Sequence, residues 1–242
     1  MELHIFRNVD EAITSLADYF VQHLHSQITD NGSCTVVLSG GKSPKNFYNL
    51  LNSSAYCDQL DWSKMYFFIG DERYVPFEDE ASNGGMIKKF FADPLNVPEA
   101  NMFYFNTSVS PEESAREYDQ RIREFFGEKP VAFDLILLGL GDNAHTASLF
   151  PHTAVLKEKE KTVKAVFLED QDQWRLTMTA PMINDAEAIA FLVYGQTKAE
   201  AVHHVLNGSG DPDNYPAQLI RPENAVVHWF LDEAASTLLK ND

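Results

Sequence analysis

The apolar residues of this chain fall in short, nearly unbroken runs, and those runs constrain the fold more than any other feature. Cys34–Leu38 (CTVVL), Met65–Ile69 (MYFFI), Phe133–Leu138 (FDLILL) and Ala188–Tyr194 (AIAFLVY) place apolar side chains at consecutive rather than alternate positions. A strand of that kind is buried on both faces, as in a parallel sheet covered by helices. Further strands are expected at Val163–Leu168, Leu176–Thr179 and Ala225–Trp229. Helical patterns lie over 10–29, 44–52, 111–126, 197–206 and 232–239. In the first, Ile13, Leu16, Ala17, Phe20, Val21, Leu24 and Ile28 recur at helical spacing after Asp10, the expected N-cap. The alternation predicts an α/β layered fold with a mostly parallel sheet. No internal repeat or low-complexity tract divides the chain. The loop at 207–216 (NGSGDPDNYP) is too short to prove a linker, so residues 1–242 are expected to form a single domain.

Charge narrows the partners. Lys and Arg number 19 against 36 Asp and Glu, a formal charge of −17. A nucleic-acid or anionic-membrane binder needs a basic surface, so neither partner is expected. A small anion remains open to it, because a few local cations override the global field at short range. Cys34 and Cys57 lack metal-ligand spacing and read as reduced thiols of a cytoplasmic protein. The first helical pattern is amphipathic and is no signal peptide, and no apolar run approaches the roughly 20 residues of a membrane span.

Three apolar runs end in glycine-rich or charged segments. VVL leads into Ser39-Gly40-Gly41, YFFI into Gly70-Asp71-Glu72-Arg73, and LILL into Gly139-Leu140-Gly141-Asp142. Ligands of open α/β sheets bind outside the carboxyl ends of the strands, so these turns can converge on one crevice. SGGKSP (39–44) follows a strand and opens a helix. Its glycines let backbone amides approach an anion, and the helix start offers unpaired N–H groups. It is neither a Walker loop nor a nucleophile elbow. GDERYVP (70–76) reads as a charged turn in which Arg73 pairs with a carboxylate and offers the rest of its fork to an oxyanion. Ser82 and Asn83 lie downstream and can add polar contacts. In HTASLFP (145–151), His145 is expected near the start of a short helix, whose dipole favours a neutral imidazole and hence a general base. Arg175 begins an alternating strand and Lys198 a helix, where a cation hints at an anionic ligand.

Taken in order, SGGKSP, DERYVP with Ser82-Asn83, GLGDNAHTASLFP, RLTMTAP, YGQTKAE and PAQLIRP resemble the 6-phosphogluconolactonase family over residues 35 to 235, roughly. The combination is specific where the single pieces are not. The resemblance implies a three-layer α/β/α Rossmann-like fold, similar to glucosamine-6-phosphate deaminases and ribose-5-phosphate isomerase-type proteins. It implies hydrolysis of 6-phosphogluconolactone to 6-phosphogluconate in the oxidative pentose phosphate pathway, with no metal or organic cofactor. His145 is then the base and Arg73 the oxyanion partner. Ser39, Gly40, Gly41, Ser43, Asp71, Arg175 and Lys198 would bind the phosphorylated sugar lactone. Monomer and homodimer are both compatible with the sequence. Two other readings stay open: an amino-sugar-phosphate deaminase or isomerase on the same fold, and a non-catalytic sugar-phosphate binder.

One stretch departs from the family pattern, which reads Asp-Gly-His where this chain has Asn143-Ala144-His145. Either Asn143, by a neutral hydrogen bond, or Asp142, as a displaced carboxylate, is expected to orient the histidine. Ala144 in place of glycine predicts a backbone outside the left-handed region, where a Cβ is costly.

Overall fold

The computed structural model describes residues 1–239. In chain order the elements begin β1 (Glu2–Phe6), α1 (Val9–Asn31), β2 (Cys34–Leu38), α2 (Lys42–Leu51), β3 (Met65–Ile69) and β4 (Asp71–Arg73). Next come α3 (Asn83–Ile87), β5 (Met102–Phe103), α4 (Pro111–Phe126), β6 (Leu135–Leu138), β7 (Val163–Leu168) and β8 (Gln173–Met178). The chain continues through α5 (Ala180–Ile183), β9 (Ala188–Val193), α6 (Ala199–Asn207), β10 (Val226–Asp232) and α7 (Glu233–Ser236).

Seven strands form one sheet in the order β1-β10-β9-β6-β2-β3-β5, and every neighbouring pair is parallel. β2, β6 and β9 are buried at every position, as their unbroken apolar runs demand. From β2 the chain moves outward to β3 and β5, then returns to β6 and continues to β9 and β10 on the other side. Right-handed crossovers in those two directions put α1 and α2 on one face and α4 and α6 on the other. The β2/β6 boundary is therefore the switch point, where the loops diverge and leave a crevice.

A second sheet, β4-β8-β7, is antiparallel and was not foreseen. The segment read as the charged turn GDER is strand β4, paired Asp71↔Thr177, Glu72↔Leu176 and Arg73↔Arg175. This pairing sets two arginines directly opposite each other. β1 was also unforeseen, because ELHIF alternates and forms the half-exposed edge. The first helix starts earlier than expected: its cap is Asn8, whose side chain accepts from the Glu11 amide, in place of Asp10. α7 closes after four residues, short of the expected 232–239. No helix among the described residues is long and apolar enough to cross a membrane.

Candidate active site

At the carboxyl ends of β2, β3 and β6 lies a pocket of about 410 Å³. Its wall carries Ser39, Gly40 and Gly41 from the β2–α2 turn, Ser43 from the first turn of α2, Asp71 and Arg73 from β4, His145 and Ser148 from the β6 loop, and Arg175 and Lys198. Lys42 lines it too, so four cations converge in a chain of net charge −17.

Close approach explains the glycines. A Cβ on Gly40 would lie 1.8 Å from Asn83 Oδ1, and one on Gly141 would lie 2.0 Å from His145 Nδ1. Gly41 instead needs its left-handed φ of 109° to start α2. The first amides of that helix have no intrahelical acceptor, which suits them to an anion. The Ser39 hydroxyl meets the Gly40 carbonyl at 3.4 Å, so it is not aimed at a base.

His145 sits in a tight turn, not at a helix start. Gly141 N–H donates to the His145 carbonyl at 2.8 Å, and Ala144 N–H to the Gly141 carbonyl at 3.0 Å. Ala144 takes φ +59°, against the expectation that its Cβ would exclude the left-handed region. The cost of about 1 kcal/mol is held down by the surroundings. Ala144 is buried, and its carbonyl accepts from Ala217 N–H at 2.9 Å. Ala147 and His152 also have positive φ, at 46° and 63°, so the strain is concentrated in the loop that carries the histidine.

Asn143, not Asp142, holds the imidazole. Asn143 Oδ1 lies 2.5 Å from His145 Nδ1 and 3.3 Å from the His145 backbone nitrogen. A backbone N–H can only donate, so the atom facing it is the amide oxygen. Nδ1 must then carry the proton, and Nε2 is left with a free lone pair. The carboxylate of Asp142 pairs with Lys198 at 2.6 Å. Phe150 stacks on the imidazole at 4.0 Å between centroids. Burial pushes the His145 pKa down to about 4, reinforced by Lys198, Arg175 and Arg73. The cause is thus desolvation and neighbouring cations rather than the expected helix dipole.

The polar frame behind the pocket is anchored by two buried acids. Glu72 accepts from the amides of Arg73, Asn83 and Gly84 at 2.8, 2.6 and 2.7 Å. It thereby fixes the 82–84 segment to β4. Asp71 accepts from the Ser148 hydroxyl at 2.7 Å, and its backbone carbonyl accepts from Asn83 at 2.7 Å. Burial raises the pKa of both acids, opposed at Asp71 by Arg73, Ser148 and Arg175. Arg73 donates to the Ala81 carbonyl at 2.9 Å in place of the expected carboxylate, while Arg175 binds the Gln171 side chain at 2.7 Å.

A family model described as Glucosamine-6-phosphate isomerases/6-phosphogluconolactonase matches residues 7–229. A curated 6-phosphogluconolactonase of Synechocystis is 40% identical over 218 residues, covering 88% of each chain. The chain belongs to this family. A solved 6-phosphogluconolactonase of Trypanosoma cruzi superposes with a TM-score of 0.88 at 24% identity, covering 99% of this chain and 97% of its own. A monomeric glucosamine-6-phosphate deaminase superposes with a TM-score of 0.84 at 21% identity, covering 98% and 100%. These last two show the shared Rossmann-like fold.

Membership and geometry sort the expected site residues. Ser39, Gly40, Gly41, Ser43, Asp71, Arg73, His145, Arg175 and Lys198 all line the one pocket. Asn143 stands behind the histidine and Asp142 behind Lys198. Ser82 and Asn83 act on the frame, the first by capping α3 and the second by bonding Asp71. Lys42 and Ser148 also line the pocket, without having been singled out in the sequence. Lys42 stood inside SGGKSP, where a cation at a helix start is the same signal that drew attention to Lys198. Ser148 is visible only once β4 and the β6 loop are known to meet.

Proposed function

We propose that this chain hydrolyses 6-phospho-D-glucono-1,5-lactone to 6-phospho-D-gluconate, the lactonase step of the oxidative pentose phosphate pathway. The observation that carries this reading is the contact of Asn143 Oδ1 with His145 Nδ1, which assigns the proton to Nδ1 and leaves Nε2 free inside a pocket lined by four cations. Nε2 takes a proton from water as the water oxygen attacks the lactone carbonyl. Arg73 and turn amides stabilise the developing oxyanion, an effect of about 3 kcal/mol per well-placed donor. As the bond from the carbonyl carbon to the ring oxygen breaks, the imidazolium returns the proton to that oxygen. The new acid then ionises. The opening amides of α2, the Ser43 hydroxyl, Arg175 and Lys198 hold the 6-phosphate and so fix the lactone against the base.

A lactone is an activated ester, so the reaction needs no covalent nucleophile, in keeping with the unactivated Ser39. An amino-sugar-phosphate deaminase would ask Asp71 to act as base at a sugar carbon. Asp71 lines the pocket, but its two carboxylate oxygens already accept from the Ser148 hydroxyl and the Asn83 amide. Free Cys34 and Cys57 suit a reducing compartment such as the cytoplasm.

The test is a coupled lactonase assay on wild type and His145→Ala, corrected for spontaneous hydrolysis. Loss of the base should lower kcat by about a hundredfold to ten-thousandfold. Equal rates would remove the base assignment. Release of ammonia from glucosamine-6-phosphate with the lactone untouched would replace the reading altogether.

A further inference from the structure

A second cluster of donor atoms lies at the amino-terminal end of the sheet, opposite the crevice. Glu2 and His4 are two residues apart on β1, so their side chains stand on one face. β10 supplies the third group, because His228 is in register with Glu2. His4 Nε2 lies 3.3 Å from His228 Nδ1, His228 Nδ1 lies 3.3 Å from Glu2 Oε2, and His4 Nε2 lies 3.8 Å from Glu2 Oε2. Zinc holds imidazole nitrogen and carboxylate oxygen at about 2.0–2.2 Å, which places tetrahedral neighbours about 3.3–3.6 Å apart. The triangle has the dimensions of one face of such a tetrahedron, and one edge is only slightly long.

The surroundings favour an ion over a chance contact. Among the described residues, neither histidine has a hydrogen-bond partner outside the cluster. Phe230 stacks on His4 at 4.8 Å and Tyr19 packs against His228 at 4.6 Å, which limits the movement of both rings. Side-chain exposure rises from 12% at His228 through 34% at His4 to 56% at Glu2. The cluster thus opens to solvent on the carboxylate side, giving an ion a way in and a water a fourth position. The two imidazoles lie within 14° of parallel, so binding requires His4, whose side chain is 34% exposed, to tilt out of its stack on Phe230 to aim its lone pair.

We propose that Glu2, His4 and His228 bind one divalent transition-metal ion, best matched by zinc, and so clamp the first strand to the last. Two imidazoles and one carboxylate suit zinc and its neighbours cobalt, nickel and copper, whereas magnesium and calcium prefer all-oxygen sets. The ligands lie up to 226 positions apart, and the closest His–His contact spans 224, so no spacing rule finds them in the sequence. β1 is the outer strand of the sheet, four places from β2, so the ion is remote from the lactone pocket.

The full chain, stripped with chelator, is titrated with Co(II) by visible absorption and with Zn(II) by calorimetry. One equivalent of Co(II) should bind with the intense d–d bands of a four-coordinate site. His4→Ala and Glu2→Gln should each weaken binding at least tenfold, with lactone hydrolysis unchanged. Glu2 is exposed, so its substitution tests the site even if replacing His228 harms folding. Zn(II) should also raise the melting temperature of the wild type and not that of Glu2→Gln. Absence of stoichiometric binding, affinity in both variants equal to that of the wild type, or loss of binding in His145→Ala instead would each overturn the proposal.

Discussion

Replacing Asn143 by aspartate puts a charge where the structure has a neutral hydrogen bond, and the consequence can be sized. Asn143 Oδ1 touches His145 Nδ1, so the carboxylate of Asn143→Asp would stand about 4 Å from the centre of the imidazolium charge. Two unit charges at that distance attract by about 1 kcal/mol in water and about 4 kcal/mol at an effective dielectric near 20. Asn143 is exposed while His145 is half-buried, so the value belongs between those limits. Divided by 1.36 kcal/mol per pH unit, it raises the His145 pKa by about one to three pH units from its present value of about 4. A base nearer the working pH abstracts a proton more readily. If half of the gained basicity reaches the transition state, kcat at neutral pH rises about 3- to 30-fold. The assay is the pH profile of kcat for lactone hydrolysis, with the acid limb compared between wild type and variant. An acid limb that stays in place, or a kcat that falls without a loss of fold, refutes the claim that Asn143 sets the protonation of the base.

Gly141→Ala should fold and yet lose activity by at least about tenfold, because its Cβ would stand 2.0 Å from the His145 ring; a 1 Å misplacement of a reacting group already costs of this order. Circular dichroism and the lactonase assay on the same sample would separate the two effects. Lys198→Met should raise KM for the phosphorylated lactone more than it lowers kcat, and an unchanged KM would remove Lys198 from phosphate binding. His145 has a folded pKa of about 4 against 6.5 for the ordinary group, so stability present above pH 6.5 is lost as pH falls towards 4. That loss is up to about 3 kcal/mol, and His145→Gln should abolish it in paired urea melts at pH 7 and pH 4.5.

The parallel sheet was legible because its strands are buried on both faces and so carry unbroken apolar runs. β2 and β3 match their runs residue for residue. β1 and β4 escaped for opposite reasons. β1 is a half-exposed edge whose alternation resembles that of any surface segment. β4 is three charged residues whose strand character comes entirely from β8. The residues that line the pocket were legible by type but not by partner. Arg73, Asp71 and Ser148 take their roles from contacts across the β4–β8 ladder and the β6 loop, which no local pattern encodes. Ala144 failed for a third reason. A Cβ in the left-handed region costs about 1 kcal/mol, a small sum beside a buried turn closed by Gly141, His145 and Ala217.

The cations around His145 create a conflict that the substrate itself can resolve. Arg73, Arg175 and Lys198, together with burial, each lower the basicity of the imidazole proposed as the base. A pocket built only to hold the base would not gather them there. A pocket that receives a phosphate would, because a dianion among the same cations cancels much of their field. Under the proposed mechanism, phosphate binding would do two things at once: position the lactone, and restore basicity to Nε2 only when substrate is present. The neutral Asn143 is consistent with this division of labour, since the charge that supports the imidazolium arrives with the ligand. The consequence is measurable without turnover. In a phosphate-free buffer the Cε1 proton of His145 should titrate near pH 4, and saturating inorganic phosphate should move its midpoint upward. Lys198→Met should raise the midpoint of the free protein and shrink the response to phosphate. A midpoint that does not respond to phosphate would mean that the cations act on the base and the substrate independently, with no coupling between phosphate binding and basicity.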